Sequence, residues 1–283
     1  MLPKVELNQI RDLGQVVDDS ILFLKQNFKP LLKSYFTICG VLWLAEAVIG
    51  VVNQIQTIQR IQDGDSVFSL AFFIVMFLGF LNYTLLILTI LSYITLYRDK
   101  DKETPTVEEV WTYVKYYFFR MFGGSLVLLL ALAAGTVCCF FPGIYLYPIL
   151  ILVPAIMVIE NTSFRYAFNR SFQIIKKRWG QVFGVTLVIG VIIISTMPLV
   201  AIPTAIIAVG VKFVALVNTN TVFSVALSIG LHLVQVLFIL PVIASAMLYF
   251  SLTEQKDDAN LLSRIEMLGH NVPETDHTET EDY

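Results

Sequence analysis

Charge is scarce in this 283-residue chain: 14% of its residues are Asp, Glu, Lys or Arg, against about 25% in a soluble domain. It has three histidines and three cysteines. Cys39, Cys138 and Cys139 all lie in apolar stretches, with no metal-ligand spacing and no disulfide framework. Adjacent cysteines close only a strained bridge, so these three read as small apolar side chains. Nineteen basic residues meet 22 acidic ones, which removes the basic excess that nucleic acid requires. There is no His-Glu-x-x-His pattern, no Gly-x-Ser-x-Gly elbow and no phosphate-cradling loop. The expectation is a non-enzyme without metal or cofactor. Nor does the chain start as a cleavable signal peptide would. About thirty residues of mixed polarity, with Glu6, Asp12, Asp18 and Asp19 among them, precede the first apolar run.

Apolar residues are abundant, at 57% of the chain, with a mean hydropathy of +0.74. A soluble core of this size cannot hide that much apolar surface. Crossing hydrocarbon takes about 20 apolar residues in a helix. Six segments qualify, at 31–52, 67–97, 121–141, 142–159, 181–202 and 221–252. The third and fourth are joined only by the turn at Phe140-Phe141-Pro142-Gly143 and predict a helical hairpin. The stretch Pro203–Thr219 is open between a continuation, a re-entrant piece and an outer-face helix. Seventeen of the 19 Lys and Arg fall on one side of this topology, leaving Arg60 and Lys212 on the other. By the positive-inside rule both termini are cytoplasmic. The tail 253–283 carries nine acids against Lys256 and Arg264. From about Asn271 it lacks apolar periodicity and reads as disordered. Leu261, Leu262, Ile265 and Leu268 are its best docking element.

An amphipathic stretch precedes each odd-numbered span. The first carries Ile10, Leu13, Val17, Ile21, Leu24 and Phe28. The second opens on the capping box Thr106-Val107-Glu108-Glu109 and continues through Val110, Val114 and Phe118. The third runs through Phe164, Phe168, Phe172, Ile175 and Trp179. Lys25, Lys115 and Lys176 each lie three residues before an aromatic. The pattern predicts cytoplasmic interfacial helices, and it leaves open a threefold repeat of one such helix plus two spans. The expected fold is an all-α polytopic bundle of six spans. Arg165, Arg170, Lys176, Lys177 and Arg178 on the third stretch suit contact with anionic headgroups, each worth about 1 kcal/mol near the surface.

Polar residues within spans are the default place for function. Glu46 lies in the first span, Asn82 in the second, and His232 and Gln235 in the sixth. Helical rise puts Glu46 and His232 at similar depth. There they either clasp the helices together or form a simple proton relay. Pro142, Pro148, Pro154, Pro198, Pro203 and Pro241 interrupt or flank the apolar segments, as in carriers and in static bundles alike.

Two resemblances are worth stating. Glu108-Glu109 is similar to the paired glutamates of intramembrane CAAX-type proteases, but Tyr113 stands where their arginine does, and no His-x-x-x-Asn follows. The segment Phe141–Gly184 resembles the membrane-domain family named after glycerophosphoryl diester phosphodiesterases, and its six-span bacterial relatives. The resemblance is carried by Phe141-Pro142-Gly143-Ile144-Tyr145, by Pro154 through Glu160, and by Ala167, Arg170-Ser171, Trp179 and Gly184. It implies a Glu160–Arg170 pair locking the third amphipathic helix to the bundle, and no phosphodiesterase activity, because the catalytic barrel is absent. On this basis the chain reads as a non-catalytic inner-membrane protein that organises or assists an envelope complex, with membrane lipids and membrane or cytoplasmic proteins as partners. The alternative is a carrier or flippase-like protein for a lipid or small amphiphile.

Overall fold

In a bilayer every backbone N–H and C=O must be satisfied internally, and long apolar runs without period-two alternation do this as helices. The computed structural model describes residues 3–138, 140–176, 178–198, 200, 202–203, 205–206 and 219–270. Its helices, in chain order, are α1 (Leu13–Asp63), α2 (Leu70–Asp99), α3 (Val107–Cys138), α4 (Phe140–Ile159), α5 (Phe164–Ile175), α6 (Trp179–Ile194), α7 (Thr219–Gln235) and α8 (Ile239–His270). A 3₁₀ turn, Val236–Phe238, links the last two. Among the described residues there is no strand. Five segments of the described residues are long and apolar enough to cross a membrane: α1, α2, Val107–Val137, Pro142–Ile159 and Val225–Lys256. A sixth is added if α5 and α6, bent by 102°, are counted as one. The chain is an all-helical, multi-pass membrane protein.

Helix starts follow local chemistry. The predicted box at α3 is present, with Thr106 N–H donating to Glu109 Oε2 at 2.8 Å and Glu109 N–H to Thr106 Oγ1 at 3.4 Å. Asp12 and Gln15 form a second such box at α1, and Ser69 and Ser163 cap α2 and α5. Gly64 ends α1 with φ 76°, the left-handed cap that glycine adopts freely.

Several boundaries differ from the sequence-based expectation. The first two amphipathic stretches are not separate helices: the first is continuous with span one in α1, and the second with span three in α3. Pro30 lies inside α1 and costs it one N–H, but the apolar face continues on both sides. Val16, Ser20, Phe23, Asn27, Leu31 and Ser34 are all buried. Only the third stretch is a distinct element, α5, followed by the bend of 102° into α6. Ser171 Oγ donates to the Ile149 carbonyl at 2.5 Å, and Trp179 Nε1 to the Tyr145 carbonyl at 3.0 Å. Those contacts run α5 back alongside α4. A buried face of Ala167, Ser171, Ile174 and Ile175 makes this possible. The three junctions are therefore built differently. α3 ends at Cys138 and α4 begins at Phe140, so Pro142 and Gly143 lie in the first turn of α4 rather than between the helices. Within the expected span 181–202, α6 ends at Ile194, a turn follows at Ser195-Thr196, and helix resumes at Met197-Pro198. Most of 203–219, all of 271–283 and the side chains of 257–270, with the docking element, lie outside the described residues.

The core is the antiparallel α1–α2 pair with α8 and α4 packed on it. Cys39 Sγ and Thr89 Oγ1 lie 3.6 Å apart. One step further along both helices, Glu46 meets Asn82. This shared register brings the intramembrane polar residues together.

Candidate functional site: an intramembrane acceptor cluster

Glu46, Asn82, His232 and Gln235 come from α1, α2 and α7 and converge on one carboxylate. Asn82 Nδ2 donates to Glu46 Oε2 at 2.8 Å. Gln235 Nε2 lies 3.4 Å from both Glu46 oxygens. His232 Nε2 stands 3.9 Å from Glu46 Oε1. His232 Nδ1 is 2.8 Å from the Ser228 carbonyl. A carbonyl only accepts, so Nδ1 carries the hydrogen, and in the neutral ring Nε2 is a bare acceptor facing a carboxylate. Trp43 Nε1 donates to the His232 carbonyl at 3.2 Å and fixes α7 against α1.

Two glycines make the room. A Cβ on Gly79 would lie 3.1 Å from Glu46 Oε1, and one on Gly50 would lie 3.0 Å from His232 Cε1. Both side chains therefore occupy space that any larger residue on the facing turn would contest.

The cluster is rich in acceptors and short of hydrogens. Gln235 Oε1 and His232 Nε2 are buried without hydrogen-bond partners, while the buried Tyr35 hydroxyl stands beside Asn82. Each such orphan costs about 1–3 kcal/mol. Among the described residues His232 is the only side chain within 4.0 Å able to offset the Glu46 charge. One added proton between Nε2 and Oε1 would turn two opposed acceptors into a donor–acceptor pair.

Glu160 and Arg170 meet as well. Arg170 Nε lies 3.4 Å from Glu160 Oε1, with both side chains about one-fifth exposed. The Tyr249 hydroxyl donates to the same oxygen at 2.9 Å. The pair thus ties α5 to the end of α4 and, through Tyr249, to α8. Arg165, Lys176 and Arg178 are exposed, and Lys177 lies outside the described residues. Because α5 runs back along α4, Lys176 borders a cleft with Tyr145, Ile149, Phe172 and Trp179.

Arg11, in sequence one of the seventeen charges that set topology, has a structural role as well. It is 2% exposed. Its guanidinium pairs with Asp19 at 2.7 Å and donates to the carbonyls of Leu7, Gln9 and Glu6. Its own carbonyl accepts from Gln181 at 2.8 Å, Ser251 at 3.2 Å and Gln255 at 3.5 Å. The signal available in sequence was the Arg11–Asp19 spacing, two turns apart across a cap.

No family model, no curated protein and no solved structure matches this chain. What fold and site define is a class, the multi-pass helical membrane proteins with an acid–histidine cluster inside the bundle.

Proposed function

We propose that this chain is a non-catalytic carrier of the inner membrane for a lipid or small amphiphile, in which the Glu46 cluster takes up and releases a proton. One observation carries the reading: a carboxylate inside the bundle, shared by three helices and surrounded by buried, unpartnered acceptors. A cluster serving only to clasp helices has no use for that deficit of donors, whereas a site that alternates between protonation states must lack a donor in one of them. The 3₁₀ break at Val236–Phe238 beside the cluster supports the same reading, since alternating access needs elements that bend. The positive-inside bias supports cytoplasmic termini. The reading in which the chain organises an envelope complex draws on the acidic tail, most of which lies outside the described residues.

The test is reconstitution into vesicles of phosphatidylcholine and phosphatidylglycerol containing a fluorescent phosphatidylglycerol. The expected result is probe movement between leaflets about tenfold or more above empty vesicles, altered by a proton gradient and abolished in folded Glu46→Gln protein. Infrared difference spectroscopy should show a protonated-carboxyl band that Glu46→Gln removes. Probe movement unchanged in that variant would sink the reading.

A further inference from the structure

Across α2 from the Glu46 cluster lies a half-open cavity of about 200 Å³, at mid-length of the spans. Phe80, Tyr83 and Ile87 of α2 form one wall. Ser125, Leu128, Leu129 and Leu132 of α3, one face of α4 between Tyr147 and Pro154, and one face of α8 between Pro241 and Ser245 form the others. Its opening is flanked by Tyr83, Leu129 and Tyr147, which stay 42%, 50% and 43% exposed. Tyrosine ordinarily collects at the membrane surface, so two tyrosines at this depth call for a reason.

We propose that this cavity holds the hydrocarbon portion of a membrane amphiphile, with a hydroxyl or carbonyl of that molecule against Ser125, and that occupancy is coupled to the Glu46 cluster. The inference rests on the carrier reading and supplies its substrate class. Three observations carry it. First, the space suits a chain: an apolar cavity of about 150 Å³ accepts a benzene, and the only medium at this depth is acyl chain. An unfilled void would forfeit dispersion contacts along its whole lining. Second, the Ser125 hydroxyl is buried there with no hydrogen-bond partner, while Ser245 is already spent on the Val242 carbonyl at 2.8 Å. A purely hydrocarbon filling would leave Ser125 orphaned. An ester carbonyl or a hydroxyl would satisfy it.

Third, the two donors to Glu46 are anchored on the cavity wall. Asn82 is followed directly by Tyr83. Gln235 is followed by the 3₁₀ turn Val236–Phe238, whose Phe238 ring stands edge-on to Tyr83 at 6.1 Å and 90°. Pro241 and Val242, a few residues on, line the cavity themselves. A 3₁₀ break inside a span is a natural hinge. A chain pressing on Tyr83 and Pro241 therefore moves both amides that hold the carboxylate, and by linkage protonation at Glu46 changes how the cavity binds. The titratable groups facing Glu46 in this scheme are His232 on α7 and Tyr35 on α1.

The experiment uses the full chain in phosphatidylcholine–phosphatidylglycerol nanodiscs with a diazirine-bearing oleic acid as probe, followed by irradiation and peptide mapping. Label is expected to concentrate on 125–132 and 147–154 above the exposed apolar surface at 70–77. Ser125→Phe, which fills the cavity, should lower that label roughly fivefold or more, the size of an overpacking penalty. Leu126→Phe, on a neighbouring exposed residue outside the lining, should not. Leu132→Phe, filling from the other end, stands in if Ser125→Phe does not fold. Uniform labelling, or cavity labelling unchanged in a folded filled variant, overturns the binding site. Across a pH series, label yield should shift in the native chain and hold constant in Glu46→Gln. A selective label indifferent to pH and to Glu46→Gln overturns the coupling and the proton step together and leaves the cavity standing. Non-selective labelling alongside proton-dependent movement of fluorescent lipid overturns the cavity and leaves the proton step.

Discussion

Gly79 and Gly50 have no chemistry of their own, yet they decide whether the cluster exists. Alanine at either would bring a methyl to 3.1 Å from Glu46 Oε1 or to 3.0 Å from His232 Cε1. Each side chain would then have to give by a few tenths of an ångström, enough to weaken Asn82–Glu46 at 2.8 Å. Gly123, with nothing within 4 Å of its Cβ position, is the control. Gly79→Ala and Gly50→Ala should impair probe movement severalfold while changing stability by under about 1 kcal/mol. Gly123→Ala should leave movement intact and raise stability by about 0.5–1 kcal/mol, the helix preference of alanine over glycine. Detergent-micelle unfolding and the vesicle assay read the two effects separately. Glu46, Asn82, His232 and Gln235 could be picked out by their polarity in apolar runs. The role of the glycines could not, because a glycine in a helix gives no sign in sequence of which side chain it faces.

At the scale of elements, the α3–α4 hairpin rests on a backbone approach. A Cβ at Gly143 would meet Thr136 Cγ2 at 2.6 Å and Thr136 Cα and N at 3.3 Å. The last two are backbone and cannot rotate away, so Gly143→Ala should destabilise the protein by about 1–3 kcal/mol. Ser171→Ala removes the bond to the Ile149 carbonyl and should cost about 1 kcal/mol, loosening α5 from α4. That loosening is measurable as faster amide exchange in Phe164–Ile175. The packing of α5 was not legible in the sequence for a definable reason. Aromatic and basic residues at a helix surface suit the headgroup layer and the flank of another helix equally well, and only the Ser171–Ile149 and Trp179–Tyr145 bonds distinguish them. The first two amphipathic stretches likewise carried no stop signal other than Pro30, which an α-helix packed on one face tolerates.

For the whole molecule, Arg11 closes the end of the bundle at which both α1 begins and α8 leaves it. Its carbonyl gathers α6 and α8, and its guanidinium gathers the segment before α1. Losing one partner of a buried ion pair costs about 3–5 kcal/mol. Because Asp19 is 29% exposed, Arg11→Met should fall below that range, at about 2–3 kcal/mol. Arg11→Lys should rescue little of it, since a single ammonium cannot serve Asp19 and several carbonyls in the geometry of a guanidinium fork. Thermal unfolding in micelles checks both. At the same scale, a reporter fused after His270 should be inaccessible from the cell exterior and one at Asp65 accessible, as the positive-inside bias requires.

Composition and hydropathy alone determined that this is an all-helical chain built to cross a membrane several times. They also picked out the four polar residues that had to find partners, because burying a polar group in hydrocarbon is costly wherever it lies along the chain. Tertiary structure decided which of these residues meet and which acceptors go unpaired. It decided where α5 packs, and that a cavity and a carboxylate share the same two stretches of helix. These depend on register between helices far apart in sequence, and register is set by glycine contacts and single hydrogen bonds that leave no periodic trace.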